Sequence, residues 1–185
     1  LSALHMRGST GIGQHIDMSL LDTAVSVMAN QALNYLATGI PPKRTGNYHP
    51  NLSPYQVFEC SDGHIIIATG NDAQYKRLCY LLEVPEMARA VEYLKNSDRV
   101  RNRKELIGKL NSQTIKLSKA YLLEACEEKG IPAGPIHSMD EVFSDPQVLH
   151  RKMQIELDGI PSVRSPFKFS EAELKLDQPS PKLGK

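Results

Sequence analysis

The sequence predicts an α/β fold that passes into a smaller α+β unit, and three observations carry this. The first 40 residues run helix, glycine turn, strand, helix, the grammar of the end of a doubly wound layer. Two apolar runs, "YQVFEC" and "HIIIATG", flank "SDG" in the manner of a β-hairpin. Helical periodicities then alternate with the short apolar segments "IPAGPIHS", "MQIEL" and "VRSPFKFS", the last two expected as short strands.

The elements follow in order. "LSALHMRG" reads as the last turn of a helix, and Gly8 to Gly13 supply a turn. In "QHIDMSLL" polar and apolar residues alternate, so a strand is expected over Gln14 to Met18. Ser19 with Asp22 three residues on resembles a capping box. Leu21, Ala24, Val25, Met28, Ala32 and Tyr35 then recur at helical spacing, predicting a helix from Leu20 to Thr38. Pro41, Pro42, Gly46 and Pro50 crowd the stretch ahead of Pro54. In the hairpin beyond it, Asp62-Gly63 is the expected turn. A helix over Asp72 to Leu82, capped by Asn71 or Asp72, turns Tyr75, Leu78, Cys79 and Leu82 inward. Helices over Asn102 to Leu117 and Ser118 to Lys129 come next, the second closed by Gly130. Pro-interrupted "IPAGPIHS" suits an edge strand. Ser138 with Glu141 opens a short helix, and Asp145-Pro146 restarts it.

At 185 residues the chain can bury one substantial core or two small ones. Its net charge of +1 gives no electrostatic reason to expect nucleic acid or an anionic membrane. The basic cluster "RVRNRK", Arg99 to Lys104, reads as a solvated helix start. Cys60, Cys79 and Cys126 are odd in number and far apart, which argues against a disulfide framework and for a reducing, cytoplasmic setting. No run reaches the roughly 18 apolar residues of a membrane span, and no charged-then-apolar leader opens the chain. The chain opens inside a helix and stops without a closing element, so a portion of a longer polypeptide is expected.

The chemistry-bearing stretch is Gly46 to Tyr55, "GNYHPNLSPY". Pro50 and Pro54 fix φ and bias their predecessors to extended geometry, so this loop is stiff. Stiffness lowers the entropy cost of presenting Asn47, His49 and Asn51 to a ligand. The same residues also suit a domain linker with structural caps. His49 has the titration range of a general base, and Asp72 is either a carboxylate catalyst or a helix cap. His5, His15, His64, His137 and His150 are scattered without metal-ligand spacing, so no metal is expected. "GSTGIG" precedes a strand, the wrong context for a phosphate-binding glycine loop.

Taken together, "GIGQHIDMSLLDTAV", "GNYHPNLSPYQVF", "DGHIIIATGNDAQYKRLC", "NRKELI", "GIPAGPI", "DPQVLHRKM" and "SPKLG" resemble the family III CoA-transferases and the related α-methylacyl-CoA racemases. The resemblance implies a Rossmann-like CoA-binding large domain, a small domain, and two subunits threaded as interlocked rings. It divides the chain into residues 1–40 of the large domain, a linker and active-site loop over 41–54, a small α+β domain over 55–150, and a return segment over 151–185. It implies acyl-CoA and carboxylate substrates, coenzyme A arriving as a thioester and no tightly bound cofactor. The nucleophile is an aspartate upstream of this chain, which forms anhydride and aspartyl-CoA intermediates; Asp17 and Asp22 are not substitutes for it. The resemblance places Gly46, Asn47, His49, Pro50, Asn51 and Tyr55 where formyl-CoA transferases carry a glycine-rich active-site loop. The departure from those glycines argues against formyl-CoA and oxalate as substrates. The racemases place a glutamate near Asp72, whose shorter side chain disfavours α-proton transfer. The remaining alternative is a non-catalytic binding or assembly module.

Overall fold

The computed structural model describes residues 1–181 and 184. Of the "SPKLG" motif, Lys182 and Leu183 lie outside the described residues. Helix α1 (Ser2–Thr10) ends at Gly11, which takes φ 73° and donates its N–H to Arg7 O at 2.8 Å. A glycine occupies that left-handed position without the Cβ clash other residues meet.

Residues 12–19 correct the strand expected over Gln14 to Met18: they are assigned to no strand. Alternation creates a face, but a strand also needs a ladder partner, and no strand of the described residues pairs here. The helix expected over Leu20 to Thr38 is two, α2 (Leu20–Val27) and α3 (Ala29–Thr38). They break where Ala29 takes φ 41°, with no proline or glycine at the break to account for it. Ser19 caps α2 as predicted, its side chain accepting from the Asp22 N–H. None of the three helices contains a buried residue.

Strands β1 (Tyr55–Cys60) and β2 (Gly63–Ala68) form the expected antiparallel hairpin, with Phe58 opposite Ile65 and Cys60 opposite Gly63. That register makes Ser61 and Asp62 the turn residues instead of Asp62-Gly63. Gly63 still meets a glycine requirement, since it has φ 142° and a Cβ there would lie 3.2 Å from Lys119 Cδ. Helix α4 (Asp72–Leu81) is capped by Asn71, whose side chain accepts from the Gln74 N–H; Asp72 is the first helical residue.

A 3₁₀ turn at Val91–Tyr93 leads into α5 (Asn96–Arg101) and α6 (Arg103–Thr114). The predicted single helix from Asn102 therefore starts earlier and is interrupted at Asn102, whose side chain bonds Glu92 O at 2.9 Å. Asn is prone to such side-chain to backbone competition. Ser118 caps α7 (Lys119–Glu128), and β3 (Ala133–Pro135) adds to β2 to give the order β1-β2-β3. Pro135 stands on the edge strand, where a missing N–H disrupts no central ladder.

Helices α8 (Met139–Ser144) and α9 (Pro146–His150) carry the predicted capping box and proline start. Strands β4 (Gln154–Leu157) and β5 (Ile160–Val163) pair antiparallel. Here the expectation over "VRSPFKFS" fails, for β5 ends at Val163. The cause is Asp158-Gly159, at φ 51° and 75°, a two-residue turn that folds the chain back at once.

The core lies between the three-stranded sheet and the helices on it. Phe58, Ile65 and Ile67 from one sheet face meet Tyr75 and Leu78 of α4, Leu106 and Leu110 of α6, and Leu122 of α7. Burying each such side chain is worth about 1.5–3 kcal/mol, so this cluster dominates the fold's stability. All three cysteines are free and buried within it. Burial pushes the Cys79 and Cys126 thiols up to about 11, which removes them as nucleophiles at neutral pH.

Candidate active-site loop

Strand β1 is an edge strand with outward-facing backbone groups, and the loop before it supplies partners for two of them. The Val57 N–H donates to Asn47 Oδ1 at 3.1 Å, and Tyr55 O accepts from the His49 N–H at 2.9 Å. Asn111 of α6 accepts from the Glu59 N–H at 3.0 Å. The edge is thereby closed to further strand pairing, and the loop is laid along it.

Within the loop, the imidazole of His49 stacks on Tyr55 with ring centroids 5.1 Å apart. Its Nδ1 accepts from the Asn51 N–H at 3.1 Å. The side-chain amides of Asn51 and Asn34 exchange two bonds of 3.2 Å, joining the loop to α3. At the far end, Pro54 O accepts from both the N–H and the hydroxyl of Thr69, at 3.0 and 2.7 Å. Gly46 takes φ 62° at the loop's entrance. Gly46, Asn47 and Asn51 are exposed, whereas His49, Pro50 and Tyr55 are half-buried.

The loop is clamped from outside by Asn96, which the sequence reading passed over, and by Arg99 and Arg103, which it assigned to solvent. Asn96 accepts from the Ser53 N–H at 3.1 Å and donates to Asn51 O at 2.8 Å. Arg99, only 1% exposed, donates through Nε to Ser53 O at 2.7 Å and through Nη1 to Tyr93 O and Leu94 O. Its Nη2 reaches Asp72 Oδ1 at 2.6 Å, and the guanidinium lies 4.4 Å over the Tyr75 ring. Arg103 donates to His49 O at 2.8 Å and to Pro50 O at 3.3 Å while stacked 4.3 Å over Tyr48. Burial lowers the Arg103 guanidinium below its ordinary value, with the Tyr48 phenol opposing that. The reading of Arg99 to Lys104 as a solvated helix start is thus overturned for Arg99 and Arg103. The available signal was their spacing of four residues, which puts both on one side of a helical stretch. Composition could not show that this side faces three loop carbonyls.

Asp72 joins the same network from the start of α4, with its side chain 58% exposed and one oxygen engaged by Arg99. His49 and Asp72 are linked indirectly, through Asn51, Asn96, Ser53 and Arg99. Among the described residues no group of three or more His, Cys, Asp or Glu could hold a metal ion. No helix of the described residues is long and apolar enough to cross a membrane.

Comparison with known proteins is consistent along the whole chain. It is 46% identical over 180 residues to the succinate–glutarate CoA-transferase of Agrobacterium fabrum, covering 95% of this chain and 45% of that protein. It is 36% identical over 189 residues to the human succinyl-CoA:glutarate CoA-transferase, covering 100% of this chain and 43% of that one. The chain therefore spans about half the length of these curated relatives. A crystal structure of a CAIB/BAIF family protein from Brucella suis superposes with a TM-score of 0.80 at 50% identity, over 98% of this chain and 48% of that one. The family model of CoA-transferase family III matches residues 1–185, and with these relatives it shows that the chain belongs to CoA-transferase family III.

Proposed function

We propose that this chain is the downstream part of an enzyme that moves coenzyme A between an acyl-CoA thioester and a carboxylic acid. The observation that carries the reading is the family match over all 185 residues. The relatives named for succinate and glutarate point to dicarboxylic acids as its substrates. The attacking aspartate belongs to an upstream segment. Gly46, Asn47, His49, Pro50, Asn51 and Tyr55 form the wall over the reacting thioester, with Asn47, His49 and Asn51 supplying its polar contacts. Residues 1–40 extend the large domain, 41–54 are linker and active-site loop, 55–150 the small domain and 151–185 the return segment. The intact protein works as an interlocked homodimer in the cytoplasm.

The stiffness of the loop supports this role, because a wall fixed before binding avoids an ordering cost when the thioester arrives. The rival reaction, proton transfer at the acyl α-carbon, would call on Asp72. That carboxylate has one oxygen held at 2.6 Å by Arg99, which fixes it in the clamp and leaves only the other for a substrate proton. The test is an exchange assay on the intact protein with succinyl-CoA and free glutarate. Formation of glutaryl-CoA is expected, without deuterium uptake at the α-carbon. Deuterium uptake without exchange of CoA between acids would replace transfer by racemisation.

A further inference from the structure

We propose that Arg103 is a positioning residue that fixes the tautomer and direction of the His49 imidazole. This rests on the reading of the Gly46 to Pro54 loop as the wall of the acyl-CoA site.

The reasoning begins with Pro50, whose ring locks φ near −65°. The carbonyl of His49 belongs to the peptide plane before Pro50, and the carbonyl of Pro50 to the plane after it. Arg103 Nη2 donates to both, at 2.8 and 3.3 Å. With φ locked by the ring and both planes held by one nitrogen, the backbone from His49 to Asn51 has little freedom left. The second plane also carries the Asn51 N–H, which donates to His49 Nδ1 at 3.1 Å. A backbone N–H can only donate, so Nδ1 is the acceptor and the neutral imidazole carries its proton on Nε2. Tyr55 stacks on the ring and fixes its plane. The chain of cause runs from guanidinium to peptide plane to amide to imidazole, and it ends with Nε2–H presented as a donor.

Arg103 fits this role better than Arg99. Arg99 is anchored in the core by Tyr93 O, Leu94 O and the Tyr75 ring, so its loss disturbs the whole unit. Arg103 makes no ion pair among the described residues, and its recorded hydrogen bonds are the two to the loop. Its Nη1 is buried without a protein partner, a cost that a merely solvated arginine would not meet. Lysine cannot reproduce a planar group that stacks on Tyr48 while donating to two carbonyls.

The experiment uses the intact protein, ¹⁵N-labelled, with Arg103→Ala, Arg103→Gln and Arg103→Lys. The wild-type ¹⁵N shifts should report one Nε2–H tautomer. In Arg103→Ala a tautomer mixture is expected, with Asn51 amide exchange faster by roughly tenfold or more and Ile65 and Ile67 exchange unchanged. Arg103→Lys should fall between the two, and Arg103→Gln serves if the alanine variant folds poorly. An unaltered tautomer overturns the proposal, as does faster exchange shared by the core amides. Turnover of the intact protein separates the two readings. A shifted tautomer with unchanged kcat supports positioning but removes the loop from the reaction. An unaltered tautomer while His49→Ala still loses turnover removes Arg103 and keeps the loop.

Discussion

At the scale of single residues, stability and chemistry divide between two arginines and a histidine. Removing Arg99 leaves the buried carbonyls of Ser53 and Tyr93, and the part-buried one of Leu94, without this donor, and orphaned buried groups cost about 1–3 kcal/mol each. Arg99→Met should therefore lower unfolding stability by about 3 kcal/mol or more, read as a shifted urea midpoint at unchanged slope. A shift under about 1 kcal/mol would mean that water replaces the guanidinium freely. His49→Ala removes one acceptor and one stacked ring, worth about 1 kcal/mol, while turnover of the intact protein should fall about tenfold or more. Unchanged kinetics would take His49 out of the reaction. The sequence drew attention to His49, Asn47 and Asn51 because polar residues in a proline-stiffened loop suit either a ligand contact or a structural linker. It hid Asn96, Arg99 and Arg103, since nothing local distinguishes an arginine aimed at a distant carbonyl from one in water.

At the scale of elements, end signals were read more reliably than continuity. Ser19, Asn71, Ser118, Ser138 and Asp145 each stand at a helix start, because a cap is satisfied within three residues and needs no tertiary partner. The breaks at Ala29 and Asn102 and the true turn of the last hairpin escaped the periodicities. Helix α8 carries a testable electrostatic feature. The Ser138 N–H, and then the Lys119 ammonium, hold the Glu141 carboxyl down at about 2 from an ordinary 4.5. A folded value below the unfolded one stabilises the folded form above about pH 4.5, and that contribution is lost as pH falls toward 2. Amides of α8 should thus lose exchange protection across this window in the wild type, and Glu141→Gln should flatten the dependence. An identical acid profile in both proteins would assign the acid sensitivity elsewhere.

At the scale of the molecule, apolar side chains are distributed unevenly. The buried core draws on residues from Phe58 to Ile131, whereas Leu21, Val25, Met28, Leu33 and Leu36 of the first helices are at least half exposed. Apolar side chains exposed in this number on neighbouring helices are the pattern of a surface that a partner covers. We read it as the face that the rest of a family III fold covers, in keeping with a chain that spans about half its relatives. The 185-residue chain by itself should therefore bind an apolar dye and self-associate, and Leu21→Lys with Leu36→Lys should reduce both without moving the thermal midpoint. A dye-dark monomer at high concentration would show that these helices repack.

By itself the sequence determined the hairpin, the helix caps, the inward stripe of α4 and the family, because each is written in residues close together in the chain or in an ordered set of motifs. Tertiary structure alone decided that Arg99 and Arg103 of a basic stretch would face inward, that Gln14 to Met18 would go unpaired and that Asp72 would hold Arg99. Those outcomes depend on partners 27 to 54 residues away, or on a strand that local alternation cannot supply. Periodicity tells a side chain which way to face; only the packed chain determines what it meets there.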